Sequence, residues 1–288
     1  MMSVLSVKNL IYGYSKGTPF EKGALKGVSV DFEQGEIVAL IGHTGSGKST
    51  LLQHLNGLLK PDSGEVLFEG ESIYKSKESL RNCRFNVGLC FQYPEQQLFD
   101  STVYKDIAFG PTNMGLSAEE IDKRVKESIA YVGLTEDYLK KSPFDLSGGE
   151  KRRVAIAGVL SMEPKVLILD EPTAGLDPIG KNNLLMLIKD YNNRTGNTVI
   201  FVSHNMDDVA LVADKVIVMN DGEIAVEGTV DYVYSQGEKL VSLGLDVPEI
   251  TAVFIELKNA GFDLGKTEYT VEGATDSIIK FLSEGGLL

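Results

Sequence analysis

The chain has 288 residues, 43% hydrophobic and 24% charged, enough to bury the core of one large domain or of one domain with a small appendix. That balance excludes collagen-like, low-complexity and disulfide-scaffold classes. Lys plus Arg number 28 against 41 Asp plus Glu, a formal charge of −13, so no chain-wide basic footprint for nucleic acid exists, although Lys151, Arg152 and Arg153 form a local basic run.

The first ten residues lack the charged start and long apolar block of a secretory signal, and no cleavage is expected. Residues 4–10 and 28–32 alternate apolar and polar, as half-buried edge strands do. The runs at 37–41, 87–91, 166–169 and 198–202 are apolar throughout, as strands buried on both faces are. Stretches of helical spacing separate them, so the expected class is α/β, a parallel sheet covered by helices. Cys83 and Cys90 have neither CxxC nor metal spacing and read as small reduced hydrophobes.

From residue 92 to about 163 the strand signal gives way to helical spacing, at 118–132 and 149–160, which marks a mostly helical insertion. Residues 216–219 and 223–226 flank Asn220, Asp221 and Gly222 and read as a hairpin. Beyond about residue 228 come two amphipathic candidates, 247–259 and 275–282; Val247, Ile250, Val253, Phe254 and Leu257 form a helical stripe in the first. The expected organisation is a domain over 1–230, with a helical subdomain at about 92–163, and an extension over 231–288. All apolar runs fall far short of the roughly 20 residues that cross a bilayer, so a membrane role would be that of a docked subunit.

Residues 42–50 read Gly42, His43, Thr44, Gly45, Ser46, Gly47, Lys48, Ser49, Thr50, matching G-x-x-x-x-G-K-[ST] after a buried strand and before an expected helix. The glycines let successive N–H groups turn inward onto phosphate oxygens, and the helix start adds a favourable dipole. Lys48 would reach the β and γ phosphates, and Ser49 would offer its hydroxyl to Mg²⁺, a hard ion content with few protein oxygens. An accidental glycine-rich turn is the competing reading, and the strand and helix on either side weigh against it. The His43 side chain is expected only to pack or face solvent.

Asp170 and Glu171 end the apolar strand 166–169, which in a parallel sheet brings both to the edge where the phosphate loop lies. Strand side chains alternate, so the two cannot both face one metal. Asp170 suits the Mg²⁺ shell and Glu171 the water that attacks the γ-phosphate; taken alone, the pair could be a strand ending in solvated acids. His204 emerges after 198–203 at the same edge, where a donor could hold the γ-phosphate and the attacking water, though a lone histidine after a strand is commonly structural. Gln92 ends another such run, and its amide oxygen could reach the metal while leading into the helical insertion.

Leu146, Ser147, Gly148, Gly149 and Glu150 lie upstream of Asp170 and Glu171, and with the preceding motifs the chain resembles the ATP-binding cassette family of ATPases over residues 4–230. In order come a Walker A loop, a Q-loop at Gln92, the LSGGE signature, a Walker B strand with Glu171, a D-loop ending in Asp177, and a switch histidine, His204. The resemblance implies a P-loop NTPase (RecA-like) core with an antiparallel β edge subdomain and a helical signature subdomain. It also implies two cassettes head to tail, each ATP between one Walker A loop and the partner's Ser147, Gly148 and Gly149. Ser147 and Glu150 also fit a helix-capping box, and both readings hold together. The family often has Gln where this chain has Glu150. Tyr14 resembles the aromatic that stacks on adenine, with Tyr12 as competitor and ordinary edge packing as the bland reading.

The segments 17–21 and 91–99 and the extension beyond Gly228 resemble the ATPase subunits of energy-coupling-factor transporters, of the second type. That implies a peripheral ATPase at the cytoplasmic face of the membrane. Its partners would be a second cassette ATPase, homologous or identical, an integral membrane coupling subunit docked near residues 92–113, and a small substrate-capturing membrane subunit for vitamins or transition-metal ions; nucleic acid is not an expected partner. The tail could pair with its equivalent in the second ATPase or fold back, and the resemblance favours pairing. The alternatives are a soluble cassette acting on ribosomes, chromosomes or DNA, or the ATPase of another transporter class.

Overall fold

The computed structural model describes residues 3–262, 264–265 and 267–284. Two long strands open the chain, β1 (Ser3–Tyr14) and β2 (Lys22–Glu33), paired antiparallel with Val7 opposite Val30. The fully buried β3 (Ile37–Ile41) runs through the phosphate loop into α1 (Lys48–Leu55). β4 (Ser63–Phe68) and β5 (Glu71–Ser72) then complete a four-stranded sheet in the order β2-β1-β4-β5. The next helix, α2 (Lys77–Asn86), is capped by Ser76, whose hydroxyl accepts from the Ser79 N–H, and leads into β6 (Val87–Cys90). The sequence reading marks none of β4, β5 or α2. In β4 only the last three residues are buried, too short a run to stand out, and α2 buries little besides Cys83.

Between residues 92 and 163 the chain is helical: α3 (Val103–Met114), α4 (Ala118–Tyr131) and α5 (Gly148–Leu160), with 3₁₀ turns at Pro94–Gln97, Glu136–Lys140 and Pro143–Asp145. Among these α3 is additional to the expected helices. The chain returns through β7 (Val166–Leu169), α6 (Pro178–Thr195), β8 (Thr198–Val202) and α7 (Met206–Val212) to the hairpin of β9 (Lys215–Asn220) and β10 (Glu223–Thr229).

The second sheet has the order β10-β9-β3-β8-β7-β6, parallel except for the β9–β10 hairpin. Its residues divide between two cores with the two-residue period of a strand. Ala39, Leu167, Leu169, Val199 and Phe201 pack with α3 to α6, whereas Val38, Leu40, Ile168, Ile200 and Val202 pack against the antiparallel sheet and α1. This explains why the expected buried strands lack alternation: both faces are dry, each fully buried Val, Leu or Ile contributing about 1.5–3 kcal/mol.

The larger core does not stop at residue 230. Short helices α8 (Val230–Tyr234) and α9 (Gly237–Ser242) feed Val233, Tyr234 and Leu240 into it, and the Tyr234 hydroxyl donates to Met206 O at 2.9 Å. In α10 (Glu249–Asn259) most of the expected stripe faces inward: Phe254 is buried and Val247, Ile250 and Leu257 are half-buried, Thr251 joins the buried side, and only Val253 of the stripe is exposed. The helix begins only at Glu249, and its inward side is set by Thr251, whose hydroxyl donates to Glu268 O, and by Ile255 against Gly237. Beyond it, Tyr269 stacks edge-on to Tyr234, and α11 (Val271–Glu284) leaves Val271 and Ile279 exposed. Tyr234→Ala is expected to lower the unfolding free energy by about 3–5 kcal/mol within one cooperative urea transition; a separate early transition would show the tail to be thermodynamically independent of the core.

Candidate active site

Because β3, β6, β7 and β8 are parallel, the segments leaving them emerge at one sheet edge. The phosphate loop, Gln92, Asp170 with Glu171, and His204 are those segments. The loop is shaped by glycines that no other residue replaces. A Cβ on Gly42 would lie 2.3 Å from Met219 O, and Gly47, at φ 106°, would meet Ala24 O at 2.8 Å. The β9–β10 hairpin supports the loop from behind through Gly222, whose N–H donates to Ser46 O at 3.0 Å. The His43 ring turns to this hairpin, Nε2 lying 3.1 Å from Asn220 Oδ1, and Nδ1 lies 2.9 Å from Thr44 O.

The donors suit a polyphosphate. Gly45, with φ 84°, has open space where a side chain would stand, and the buried Ser46 hydroxyl has no hydrogen-bond partner. The Lys48 amine, buried within the loop, donates to Gly42 O at 2.7 Å and His43 O at 3.0 Å. Desolvation lowers its pKa, opposed by the carboxylates of Glu171 and Asp170. Burial raises the Asp170 pKa, opposed chiefly by a hydrogen bond from Ser49. The Ser49 hydroxyl and Asp170 carboxylate are thus adjacent hard oxygen donors, a set that fits Mg²⁺ with phosphate and water completing its shell. Among the described residues no group of three or more His, Cys, Asp or Glu could hold a metal by itself.

Glu171 stands at the centre. Its Oε1 accepts from His204 Nε2 at 2.7 Å and its Oε2 from Gln92 Nε2 at 2.8 Å. A carboxylate only accepts, so His204 carries its proton on Nε2 and the Gln92 amide oxygen points elsewhere, free to face a cation. Glu171 holds φ at 49°, and Tyr93, after Gln92, at 57°. For non-glycine residues each such backbone costs about 1–3 kcal/mol, strain that collects at functional sites.

Tyr14 donates to or accepts from the Thr50 hydroxyl at 3.1 Å, with its ring exposed above α1; Tyr12 meets Tyr14 and the buried His54 edge-on. Desolvation lowers the His54 pKa. Tyr14 is the more exposed of the pair, Tyr12 being half-buried.

Among the described residues, Ser147, Gly148 and Gly149 make no hydrogen bond to the phosphate loop. Ser147 caps α5 in a capping box, its hydroxyl accepting from Glu150 N–H and its N–H donating to Glu150 Oε2 at 2.8 Å. Asp177 caps α6, accepting from Gly180 N–H at 2.9 Å. Ser147, Gly149 and Asp177 line a cavity of about 670 Å³ between α5 and α6.

Sequence reasoning missed the residues that brace this region. Arg152, in the basic run, is buried rather than part of a basic patch, and it donates to Pro172 O, Ala174 O and Glu95. Asp208 accepts from Thr173 at 3.4 Å and pairs with Lys181 at 2.6 Å. Tyr138 donates to Glu150 at 2.7 Å. All these partners are distant in the chain or lack a local motif; only the capping box was visible.

The fold and this loop-centred site define a nucleotide-hydrolysing cassette. Residues 25–174 match the family described as ABC transporter. The chain is 53% identical over 279 residues, 96% of its length and 98% of the relative's, to the energy-coupling factor transporter ATP-binding protein EcfA2 of Clostridium perfringens, and 50% identical to that of Clostridioides difficile, covering 99% of this chain and all of the relative. Among solved structures, cbiO1 from Clostridium perfringens, part of the ABC transporter complex cbiONQ, superposes with a TM-score of 0.74 at 43% identity over 85% of this chain and 95% of that one. The cassette MJ0796, in a dimeric post-hydrolysis state with ADP and Pi, superposes at 0.71 with 31% identity, covering 78% of this chain and 98% of that one. The chain belongs to the ABC transporter family of ATPases, among the ATP-binding proteins of energy-coupling factor transporters.

The Tyr138 hydroxyl, then Ser147, holds the Glu150 carboxyl at about 2, below the ordinary 4.5. Since folding lowers this pKa, the network contributes fully above 4.5 and is lost as pH falls from there through about 2. Tyr138→Phe is expected to raise the Glu150 pKa and flatten the dependence of unfolding free energy on pH across that window, measured by carboxyl NMR titration and acid urea melts.

Proposed function

We propose that this ATPase binds ATP with Mg²⁺ at the cytoplasmic face of a membrane and powers an energy-coupling-factor importer of vitamins or transition-metal ions. Its partners are a second cassette ATPase, a membrane coupling subunit and a substrate-capturing membrane subunit. The observation that carries this reading is the Glu171 carboxylate held between Gln92 and His204 beside Lys48, in a chain similar over nearly its whole length to EcfA2 proteins.

In this reading the backbone N–H groups of residues 42–50 cradle the phosphates, and Lys48 leaves its loop carbonyls for the β and γ phosphates. Ser49, Asp170 and the Gln92 amide oxygen would hold Mg²⁺, which when bound would neutralise charge developing on the phosphates. Glu171 accepts the proton of the attacking water, and His204 orients Glu171 and holds the γ-phosphate. Tyr14 stacks on adenine. Ser147, Gly148, Gly149 and Asp177 act on the nucleotide of the second cassette, since their own phosphate loop is out of hydrogen-bond reach.

The domain over 1–230, into whose core α8 and α9 also pack, is the motor, with residues 92–163 as its helical subdomain, and the rest of the extension over 231–288 serves dimerisation through exposed apolar residues such as Val253, Val271 and Ile279. The coupling subunit docks at a groove of about 330 Å³ beside the turn after Gln92, flanked by the exposed Phe99 and Phe109. No helix among the described residues is long and apolar enough to cross a membrane.

Glu171→Gln is expected to keep ATP affinity within a few-fold, to lower kcat by about 10²–10⁴, and to trap an ATP-bound dimer on size exclusion; undiminished turnover would remove Glu171 from the role of base. Tyr14→Ala should weaken ATP binding by about 1–2 kcal/mol, with a smaller effect for Tyr12→Ala, read by calorimetric titration.

A further inference from the structure

We propose that Arg152 is a positioning residue that joins the turn after Gln92, the signature helix and the loop before Asp177 into one mechanical unit, and that ATP turnover depends on this junction. The proposal rests on the roles given above to Gln92, Ser147 and Asp177. Arg152 is only 5% exposed, on the inward side of α5 one turn past Ser147. Its guanidinium serves two segments at once. Nη1 donates to Pro172 O at 3.1 Å and Ala174 O at 2.6 Å, carbonyls of the loop between Glu171 and Asp177. Nε and Nη2 face the two oxygens of Glu95, at 3.3 and 3.5 Å, on the Pro94–Gln97 turn.

One planar fork therefore couples the three segments, and a lysine, a single-point cation, cannot reproduce it. Glu95 is the only carboxylate paired with this buried cation among the described residues. The same turn contributes Gln97 to the groove beside Phe99 and Phe109, so displacement of the turn is carried through Glu95 and Arg152 to the loop carrying Asp177. Among the described residues the neighbouring Arg153 donates to Gly133 O at 3.4 Å instead, so it does not share this junction.

The test measures kcat, ATP dissociation constant and melting temperature for the full chain in its ATP-hydrolysing dimer, with R152Q, R152K, E95Q and the double variant R152Q/E95Q. R152Q and E95Q are each expected to lower kcat about tenfold or more while the ATP dissociation constant stays within twofold. R152K should recover part of the loss, and the double variant should fall no lower than the worse single one, because both members belong to one junction. Singles with kcat within twofold of the wild type, losses that multiply in the double variant, or losses that follow ATP affinity would each overturn the proposal. Should R152Q fail to fold, the half-buried E95Q decides alone by the same kcat criterion. If Ser147→Ala and Glu171→Gln retain full hydrolysis, the site roles fail; if these lose rate and E95Q does not, only the Arg152 junction fails.

Discussion

A parallel sheet sends the carboxyl ends of its strands to the same edge, and in this protein four chemically loaded segments leave from that edge. The chain separates them by up to about 160 residues, yet the register of β3, β8, β7 and β6 aligns Leu40 with Val202 and Cys90 with Leu169, just before the reactive residues begin. Every other feature of the site presupposes this alignment. Lys48 feels Asp170 and Glu171, and Glu171 meets Gln92 and His204, because two dry cores hold the sheet fixed between them.

The site is built with tension as well as with contacts. Glu171 and Tyr93 adopt left-handed backbone that ordinary residues avoid, each at a cost of about 1–3 kcal/mol. The surrounding hydrogen bonds keep them there: Asp170 N–H to Cys90 O at 2.9 Å on one side, the turn from Ala174 N–H to Glu171 O on the other. The loop after Glu171 is gripped from two directions, by Arg152 and by Thr173 on Asp208, which Lys181 neutralises. A buried pair of this kind adds little net stability, because desolvation offsets attraction, but removing one partner is costly. Such pairs are therefore better at fixing geometry than at stabilising the fold.

Much of this was legible in the sequence. The phosphate loop, the acids ending β7, and the hairpin at Asp221 and Gly222 each depend on contiguous residues whose backbone needs are local, and so a linear pattern reveals them. The buried strands were equally plain, since apolar runs bounded by turn residues have few other uses. The stripe on α10 was legible except at one edge, because periodicity describes a helix's own surface without saying where the rest of the chain lies; Thr251 turned inward to reach Glu268 O, and Val253 was left outside. Strand β4 was hidden because its exposed first half has no apolar pattern.

By itself the sequence determined the α/β class, the phosphate-binding chemistry and the family, because glycine placement, hydroxyl and amine spacing and strand hydrophobicity are properties of short segments. Only the tertiary structure decided which distant groups share a carboxylate. That Gln92 and His204 both donate to Glu171, that Tyr14 is left more exposed than Tyr12, and that Arg152 turns inward to Glu95 and the Pro172 carbonyl follow from long-range packing. Such pairings join residues from 20 positions apart, Arg152 with Pro172, to 79 apart, Glu171 with Gln92, and no local propensity encodes a contact whose geometry exists only after the sheet has formed.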